Sequence, residues 1–293
     1  KDKIRRFFFN FTQESMIMKI GLTVLIFSTA VFSLASCNKS DRDNDNETQS
    51  CSDNNIAEAC WNDIYKQMDD AAAVTADVNR YSAGNMTAAC YTVTVVPALP
   101  DPSFPKTVTI DFGSTNCTGP DGITRRGQII AVFSGRYRDS LTTITITTNN
   151  YYANDHKIEG TKTITNRGHI NGVATFSINV SNATITTPDN KTITWNSQRT
   201  RRWIAGESTL LIVGDDVYEI TGTADGRGIK GNAFTLTITS PLRVEMNCRW
   251  IVKGTVKLTP DNLDDRIIDF GSGTCDDQAT VLINGNSYTI TLN

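Results

Sequence analysis

The stretch KTVTIDFGSTNC, residues 106–117, alternates apolar residues with threonine and then reaches a glycine and a cysteine. Alternation with a period of two is typical of a β-strand with one buried face, and β-branched residues favour a pleated backbone. The same alternation returns in CYTVTVV, TTITITT, ATFSINV, FTLTITS and SYTITL. Turn signals such as GPDG, PDNK and ADGRG separate these runs, and no helical pattern lies between them. Residues 90–293 therefore predict an all-β domain of about thirteen antiparallel strands.

Two architectures fit this domain. The many threonines that alternate with apolar residues indicate a sheet with one solvated face and one packed face. A large antiparallel β-sandwich and a curled β-meander both satisfy that pattern. The repeats do not recur at one fixed period, which disfavours a propeller or a solenoid. The sequence leaves the sandwich and the meander open.

The motif IDFGS occurs twice, in IDFGSTNC ending at Cys117 and in IDFGSGTC ending at Cys275. Each copy closes the longer pattern C-x20-D-F-G-S-x2-C, which begins at Cys90 in the first case and at Cys248 in the second. Because two coincidences of that length are improbable, the pattern predicts the disulfides Cys90–Cys117 and Cys248–Cys275, each linking a pair of strands. The DFG tripeptide does not indicate a kinase, since no glycine-rich loop or H-R-D loop accompanies it.

One segment has helical periodicity instead. In DNNIAEACWNDIYKQMDDAAAVTADVNRY, residues 53–81, apolar residues recur every three or four positions. Asp53 or Asn54 is suited to cap the start of a helix, and SAGN, residues 82–85, is suited to end it. We therefore predict one N-terminal amphipathic helix within residues 53–85, packed on the sheet of its own domain.

Residues 1–36 are typical of an export signal. Lys19 precedes the apolar run IGLTVLIFSTAVFSL, which is long enough for a signal peptide and short for a membrane span. The run leads into LASC, which ends at Cys37. We interpret residues 1–36 as an N-terminal extension and signal peptide. The polar, charged stretch that follows predicts a disordered tether over residues 37–52.

The LASC stretch resembles the lipobox of bacterial lipoproteins, in which the signal is cut before a lipid-bearing cysteine. The resemblance implies that Cys37 carries several acyl chains, palmitate among them, and that the membrane is a partner through this anchor. Together with the all-β, disulfide-paired body, the export signature resembles the uncharacterised lipoproteins of Bacteroidetes. It implies a cell-envelope protein anchored in the outer membrane, on its periplasmic or its surface-exposed face, and implies no particular activity.

The assignment of Cys37 as the lipidated residue determines how the remaining cysteines are interpreted. If Cys37 carries lipid, six of the seven cysteines remain, and an even number in an exported chain favours disulfides. Cys51 and Cys60 then pair by exclusion. A zinc site needs four close nitrogen or sulfur ligands, but no C-x2-C occurs, and His156 and His169 lie far from any cysteine in the sequence. We predict no metal and no cofactor.

Charge and motif content limit the chemistry. The net charge of −3 offers no basic field, so nucleic acid is not an expected partner. Both histidines lie in turn-like stretches, outside any G-x-S-x-G frame, and we assign no catalytic residue. A carbohydrate-active hydrolase is an alternative, since glycosidases need two carboxylates across a cleft. The candidate carboxylates are Asp111, Glu159, Glu207, Asp215, Asp216 and Asp269.

The stretch SQRTRRWI, residues 197–204, holds the best binding candidates. In a strand, Arg199, Arg201 and Trp203 share one face, and Arg202 faces the other way. Two arginines beside an indole suit an anionic sugar or a phosphate. The alternative is that the arginine stems cover apolar surface and pair with acidic residues on neighbouring strands.

The sequence favours a lipid-anchored, non-catalytic protein of the cell envelope. Its expected ligand is a glycan, a lipid such as lipopolysaccharide, or another protein. A purely structural envelope lipoprotein is the first alternative, and a carbohydrate-active hydrolase is the second.

Overall fold

The computed structural model describes residues 45–75, 90–98, 100–209 and 212–292. The predicted signal segment 1–36, the lipidation residue Cys37 and residues 76–85 of the predicted helical segment lie outside the described residues. Within those ranges the chain forms one α-helix, a short 3-10 helix (Val213–Asp215) and fourteen strands. They are α1 (Gln49–Thr75), β1 (Thr92–Val96), β2 (Lys106–Asp111), β3 (Cys117–Thr118), β4 (Thr124–Phe133), β5 (Thr143–Ala153), β6 (His156–Ile170), β7 (Val173–Thr186), β8 (Thr192–Ala205), β9 (Val217–Arg227), β10 (Ala233–Glu245), β11 (Ile251–Pro260), β12 (Arg266–Ser272), β13 (Gln278–Ile283) and β14 (Asn286–Thr291).

All fourteen strands belong to one antiparallel sheet. Strands follow one another in chain order from β1 to β14, except that β2 pairs directly with β4 and the short β3 pairs only with β4. This confirms the prediction of a large antiparallel all-β domain with one N-terminal helix. Of the two architectures that the sequence left open, the strand order is that of the meander.

Burial alternates along the strands as the sequence predicts. In β13, Ala279, Val281 and Ile283 are buried and the residues between them are exposed. Strand β8 alternates in the same way, but two of its buried positions hold Arg199 and Arg201. We call the face that carries these buried side chains the inner face of the sheet.

Helix α1 lies on the inner face. Trp61, Ile64 and Met68 are fully buried at helical spacing, as expected for the packed side of an amphipathic helix. Gly160 on β6 allows this approach, because a Cβ at that position would lie 2.9 Å from the Trp61 ring. Among the described residues, no helix combines the length and the apolar character needed to cross a bilayer.

Polar contacts fix the helix to distant strands. Arg125 at the start of β4 pairs with Asp63, and its Nε lies 3.1 Å from Asp63 Oδ2. Trp195 on β8 donates from Nε1 to Asn54 Oδ1 at 3.1 Å. The helix therefore crosses the sheet from β8 to β4.

The sheet is curled. Ile123, next to β4, and Leu292, next to β14, line the same cavity of 520 Å³. Ten strand spacings separate β4 from β14, which in a flat sheet amounts to roughly 48 Å. Only a sheet that bends around its inner face brings both residues to one cavity of this size.

The two predicted disulfides are confirmed. Cys90–Cys117 closes the open end of the β1–β2 hairpin with a Cα–Cα distance of 5.4 Å. Cys248–Cys275 closes the β11–β12 hairpin in the same way, at 5.8 Å. One linked hairpin lies at an edge of the sheet, and the other lies near the opposite edge.

The repeated DFGS stretch builds the same turn in both hairpins. The carboxylate of Asp111 accepts the N–H of Gly113 at 2.8 Å, and the carboxylate of Asp269 accepts the N–H of Gly271 at 2.9 Å. Both glycines have positive φ, +78° and +88°, which a side chain would oppose. The phenylalanines between them are buried on the inner face: Phe112 and Phe270. The motif is a structural turn that leads each chain to its cysteine.

The pairing of Cys51 with Cys60 is wrong. Both cysteines are free and buried, and both belong to α1, which begins at Gln49 and so includes the cysteine expected before the helix. Nine helical positions correspond to about 13.5 Å along the axis, far beyond the reach of a disulfide. Burial raises the pKa of each thiol to about 12, so neither is a reactive thiolate at neutral pH.

The predicted tether must also be corrected, for residues 45–52. Arg266 on β12 is fully buried, and its guanidinium donates two hydrogen bonds to the Asp45 carboxylate, at 2.6 and 2.7 Å. It also donates to the backbone oxygen of Glu47 at 3.0 Å. A buried arginine needs such partners, and these hold the chain before α1 against the sheet.

Candidate functional site

A cavity of 520 Å³ lies between α1 and the inner face of the sheet. Its size is in the range of small-molecule sites. Apolar side chains from the helix and from eight strands or their ends line most of it, among them Ile56, Ile178, Ile220, Met246, Trp250 and Phe270. Such a wall suits the apolar part of a ligand.

Lys162 on β6 is one of two buried cations in this wall. Its side chain is 5 % exposed, and Nζ donates to the backbone oxygen of Trp61 at 3.0 Å. Nζ also lies 5.1 Å from the centre of the Tyr65 ring. The amine is thus enclosed by the helix and faces the cavity.

Arg201 on β8 is the second buried cation. It is 4 % exposed, and its guanidinium carbon lies 4.6 Å from the ring centres of Tyr65 and Tyr218. One Nη donates to the hydroxyl of Tyr137, whereas the Nε–H has no hydrogen-bond partner within the described ranges. Arginine remains charged at every physiological pH. We call Lys162 and Arg201 the cation pair.

The cation pair lacks an acidic partner among the described residues. Arg199, which lies two positions before Arg201 and is also buried, forms an ion pair with Glu58 of α1. Lys162 and Arg201 are instead bonded to a backbone carbonyl and to a tyrosine hydroxyl. Among the described residues, Lys162, Arg199 and Arg201 thus have one paired carboxylate between them, that of Glu58. Burying a charge without a counter-charge is costly.

The surroundings lower the pKa of Lys162. Burial is the main cause, the positive charges of Arg201 and Arg199 act in the same direction, and Glu58 opposes them. The pKa falls from 10.5 to about 7, so about half of the amine is unprotonated at neutral pH.

The three binding residues predicted from the sequence have different positions. All three are buried on the inner face, and only Arg201 lines the cavity. Arg199 is paired with Glu58, as the alternative interpretation of the arginines expected. Trp203 donates from Nε1 to Asp216 Oδ1 at 3.1 Å. The structure therefore separates the predicted cluster.

Sequence analysis missed Lys162. This lysine lies two positions before the buried Ile164, on the same face of β6. Such a lysine can be recognised from the sequence, because it occupies a position where the alternation predicts a buried apolar residue. The aromatic residues around the cation pair come from α1, β7, β9 and the β4–β5 loop, and no local sequence pattern brings those segments together.

The candidate hydrolase carboxylates do not line the cavity. Each described one has a local partner instead. Asp216 bonds Trp203 and Tyr218, both buried, and Glu207 bonds His169. His156 is among the residues that line the cavity, and its Nδ1 is 3.1 Å from the backbone oxygen of Asn154. These contacts are those of turns and of a packed core.

The second disulfide helps to form the cavity. Cys248 lines the wall beside Arg249 and Trp250, and the indole Nε1 of Trp250 is buried without a hydrogen-bond partner among the described residues. Cys90 and Cys117 of the first disulfide are not part of the wall. The two linked hairpins are therefore alike in structure and different in their relation to the cavity.

No protein-family model matches the chain, and comparisons with curated proteins and with solved structures also give no significant match. Function is therefore inferred from the cavity and from the cation pair in its wall.

Proposed function

We propose that the protein is a non-catalytic binding protein whose cavity holds an amphipathic ligand with an apolar body and one anionic group. The observation that carries this proposal is the cation pair, Lys162 and Arg201, buried in an apolar wall without an acidic partner among the described residues.

An anionic group on the ligand offsets the cost of these buried charges. Arg201 presents an Nε–H that has no hydrogen-bond partner among the residues that the structure describes. Hydrogen bonds between a guanidinium and a carboxylate or phosphate are among the strongest in proteins. Lys162 adds a second positive charge when it is protonated. A ligand anion between them would therefore be bound by both charge and hydrogen bonds.

The rest of the cavity favours an aliphatic or aromatic body over a sugar. A glycan needs many hydrogen-bond partners, whereas residues such as Ile178, Ile220, Met246 and Phe270 offer none from their side chains. Among the ligand classes expected from the sequence, a lipid therefore fits better than a glycan or a protein. A purely structural role does not account for a cavity whose wall holds two buried cations without an acidic partner among the described residues.

The expected setting is the cell envelope. The LASC stretch supports a lipid anchor at Cys37, which would tether the protein at the outer membrane close to amphipathic ligands. The lipid anchor at Cys37, the outer-membrane location and the amphipathic ligand are parts of the same proposal. The hydrolase alternative has weaker support, since its candidate carboxylates lie away from the cavity.

The test is a titration of the purified protein with a fluorescent long-chain fatty acid and with the methyl ester of the same acid. We expect the acid to bind at least about tenfold more tightly, because a hydrogen bond to a charged group contributes about 1.5 to 3 kcal/mol. Equal affinity for acid and ester, or no binding of either, would contradict the proposal.

A further inference from the structure

We propose a second activity for the same cavity: Lys162 Nζ condenses with apolar aldehydes to form an imine. This reaction uses the cavity of the proposed function, but it needs no anionic group on the ligand. It would make Lys162 a covalent attachment point for carbonyl compounds.

Lys162 has the surroundings of a nucleophilic amine. It lines the cavity, it is buried, and two buried guanidinium groups, those of Arg199 and Arg201, lie in the same cluster. Desolvation and neighbouring positive charge are the two effects that keep a lysine unprotonated and reactive. The single hydrogen bond from Nζ to the oxygen of Trp61 is one that a neutral amine also donates, and it leaves the nitrogen lone pair available.

Arg201 is suited to activate the carbonyl group. The amine of Lys162 and the guanidinium of Arg201 both lie against the Tyr65 ring, at 5.1 and 4.6 Å from its centre. The Nε–H of Arg201, which has no partner in the described part of the chain, can donate to a carbonyl oxygen as negative charge develops there.

The reaction balances without a further reagent. The lone pair of Nζ forms a bond to the carbonyl carbon, and the carbonyl oxygen takes up the electron pair and a proton that leaves the nitrogen. The resulting carbinolamine then loses its hydroxyl group and the second nitrogen proton as water, and a C=N bond forms. Aldehyde and amine give imine and water, with no oxidation or reduction. An apolar wall limits the access of water that would reverse the reaction.

Two other nucleophiles near the cavity are less suited. Lys66 lines the cavity from α1, but its side chain is exposed to solvent. Cys60 also lines the wall, but burial raises the pKa of its thiol to about 12, so it carries almost no thiolate at neutral pH. Of these three described groups, Lys162 alone combines enclosure with a nucleophilic amine.

The experiment treats the full chain at pH 7 with decanal at a stoichiometric amount, reduces any imine with cyanoborohydride, and maps the modified lysines by peptide mass spectrometry. We expect Lys162 to carry at least about ten times more adduct than the exposed Lys66 and the partly exposed Lys157, because desolvation and neighbouring positive charge favour a neutral, nucleophilic amine at Lys162. Adduct spread over exposed lysines, with Lys162 unmodified, would overturn the inference.

Two variants and one competitor complete the test. Lys162→Arg should abolish the cavity adduct, and Lys157→Arg should leave both the adduct at Lys162 and fatty-acid binding unchanged. An excess of fatty acid should suppress the adduct at Lys162. If the fatty acid binds and no adduct forms at Lys162, this inference fails and the proposed function stands. If the adduct forms and no fatty acid binds, the proposed function fails and this inference stands.

Discussion

Lys162 on β6 and Arg201 on β8 lie against the same ring, that of Tyr65 on α1, at 5.1 and 4.6 Å from its centre. Strand β7 separates the two strands, and both side chains point to the inner face. The helix therefore encloses two cations that solvent would otherwise surround. Charge enclosed in this way has consequences for stability as well as for binding.

The stability of the protein should rise between pH 7 and 9 because of Lys162. Its pKa in the folded chain, about 7, is below the unfolded value of 10.5, so the unfolded chain binds more protons across this interval. The free energy of unfolding then increases with pH, by up to about 1.4 kcal/mol per pH unit from this group. Urea unfolding of the wild type and of Lys162→Met at pH 7 and pH 9 measures this change in the free energy of unfolding.

We expect Lys162→Met to lose this pH dependence, so its stability relative to the wild type falls as pH rises. Lys157→Met is the matched control, because Lys157 is a partly exposed residue of the same strand, paired with Glu159. If all three proteins change equally between the two pH values, the amine of Lys162 is not enclosed as described.

The buried ion pair between Asp45 and Arg266 should stabilise the fold strongly. Asp45→Asn leaves the guanidinium of Arg266 without its charged partner, and we expect a loss of about 3 kcal/mol in the free energy of unfolding. Asp265→Asn is the control: Asp265 pairs with Lys257 on the surface, and its loss should cost under about 1 kcal/mol. Similar losses in the two variants would contradict an ordered segment before α1.

The same pair predicts sensitivity to acid. The pKa of Asp45 is lowered in the folded protein: burial acts to raise it, and the hydrogen bond from Arg266 with backbone N–H groups outweighs that effect. Its contribution is therefore present at neutral pH and is lost as pH falls through the folded pKa. An acid titration followed by circular dichroism should show Asp45→Asn losing less stability below pH 4 than the wild type.

The two disulfides should differ in their effect on binding. Replacing Cys90 and Cys117 by alanine, or Cys248 and Cys275 by alanine, should destabilise the fold by roughly 3 kcal/mol in each case. Only the second replacement alters the cavity wall, since Cys248 lines it. Fatty-acid affinity should therefore fall in the second double variant and stay unchanged in the first. Equal losses of fatty-acid affinity in the two double variants would contradict binding of the fatty acid in this cavity.

Gly160 should be needed for the contact between α1 and the sheet. In Gly160→Ala, the new Cβ would lie 2.8 Å from the Cα of Ala183 and 2.9 Å from the Trp61 ring, and the backbone φ is +137°. We expect a loss of more than about 2 kcal/mol by thermal or urea unfolding. Gly172→Ala has a positive φ of +76° with open space around it, and should cost about 1 to 2 kcal/mol. A smaller loss at Gly160 than at Gly172 would contradict the close approach of the helix.

Local sequence patterns predict a large part of this fold. Alternation identified the strands and correctly assigned Arg199, Arg201 and Trp203 to one face, and the repeated cysteine spacing identified both disulfides. The start of α1 was missed, because Asp45 is held by Arg266, a partner 221 residues away. Of the cation pair, the sequence indicates Arg201 and does not indicate Lys162, for the same reason. The two side chains lie against one ring on the helix, that of Tyr65, which is distant from both of them in the sequence.

The most direct test of the central claim compares the dissociation constant of a long-chain fatty acid for Arg201→Met and for Arg202→Met. Arg202 is the next residue of the same strand, is partly exposed and pairs with Glu219. Unfolding midpoints of both variants confirm that each is folded at the assay temperature. We predict that Arg201→Met weakens binding by about tenfold or more and that Arg202→Met changes it by less than about twofold. Equal effects, or no effect of Arg201→Met on a folded protein, would contradict an anion site at Arg201.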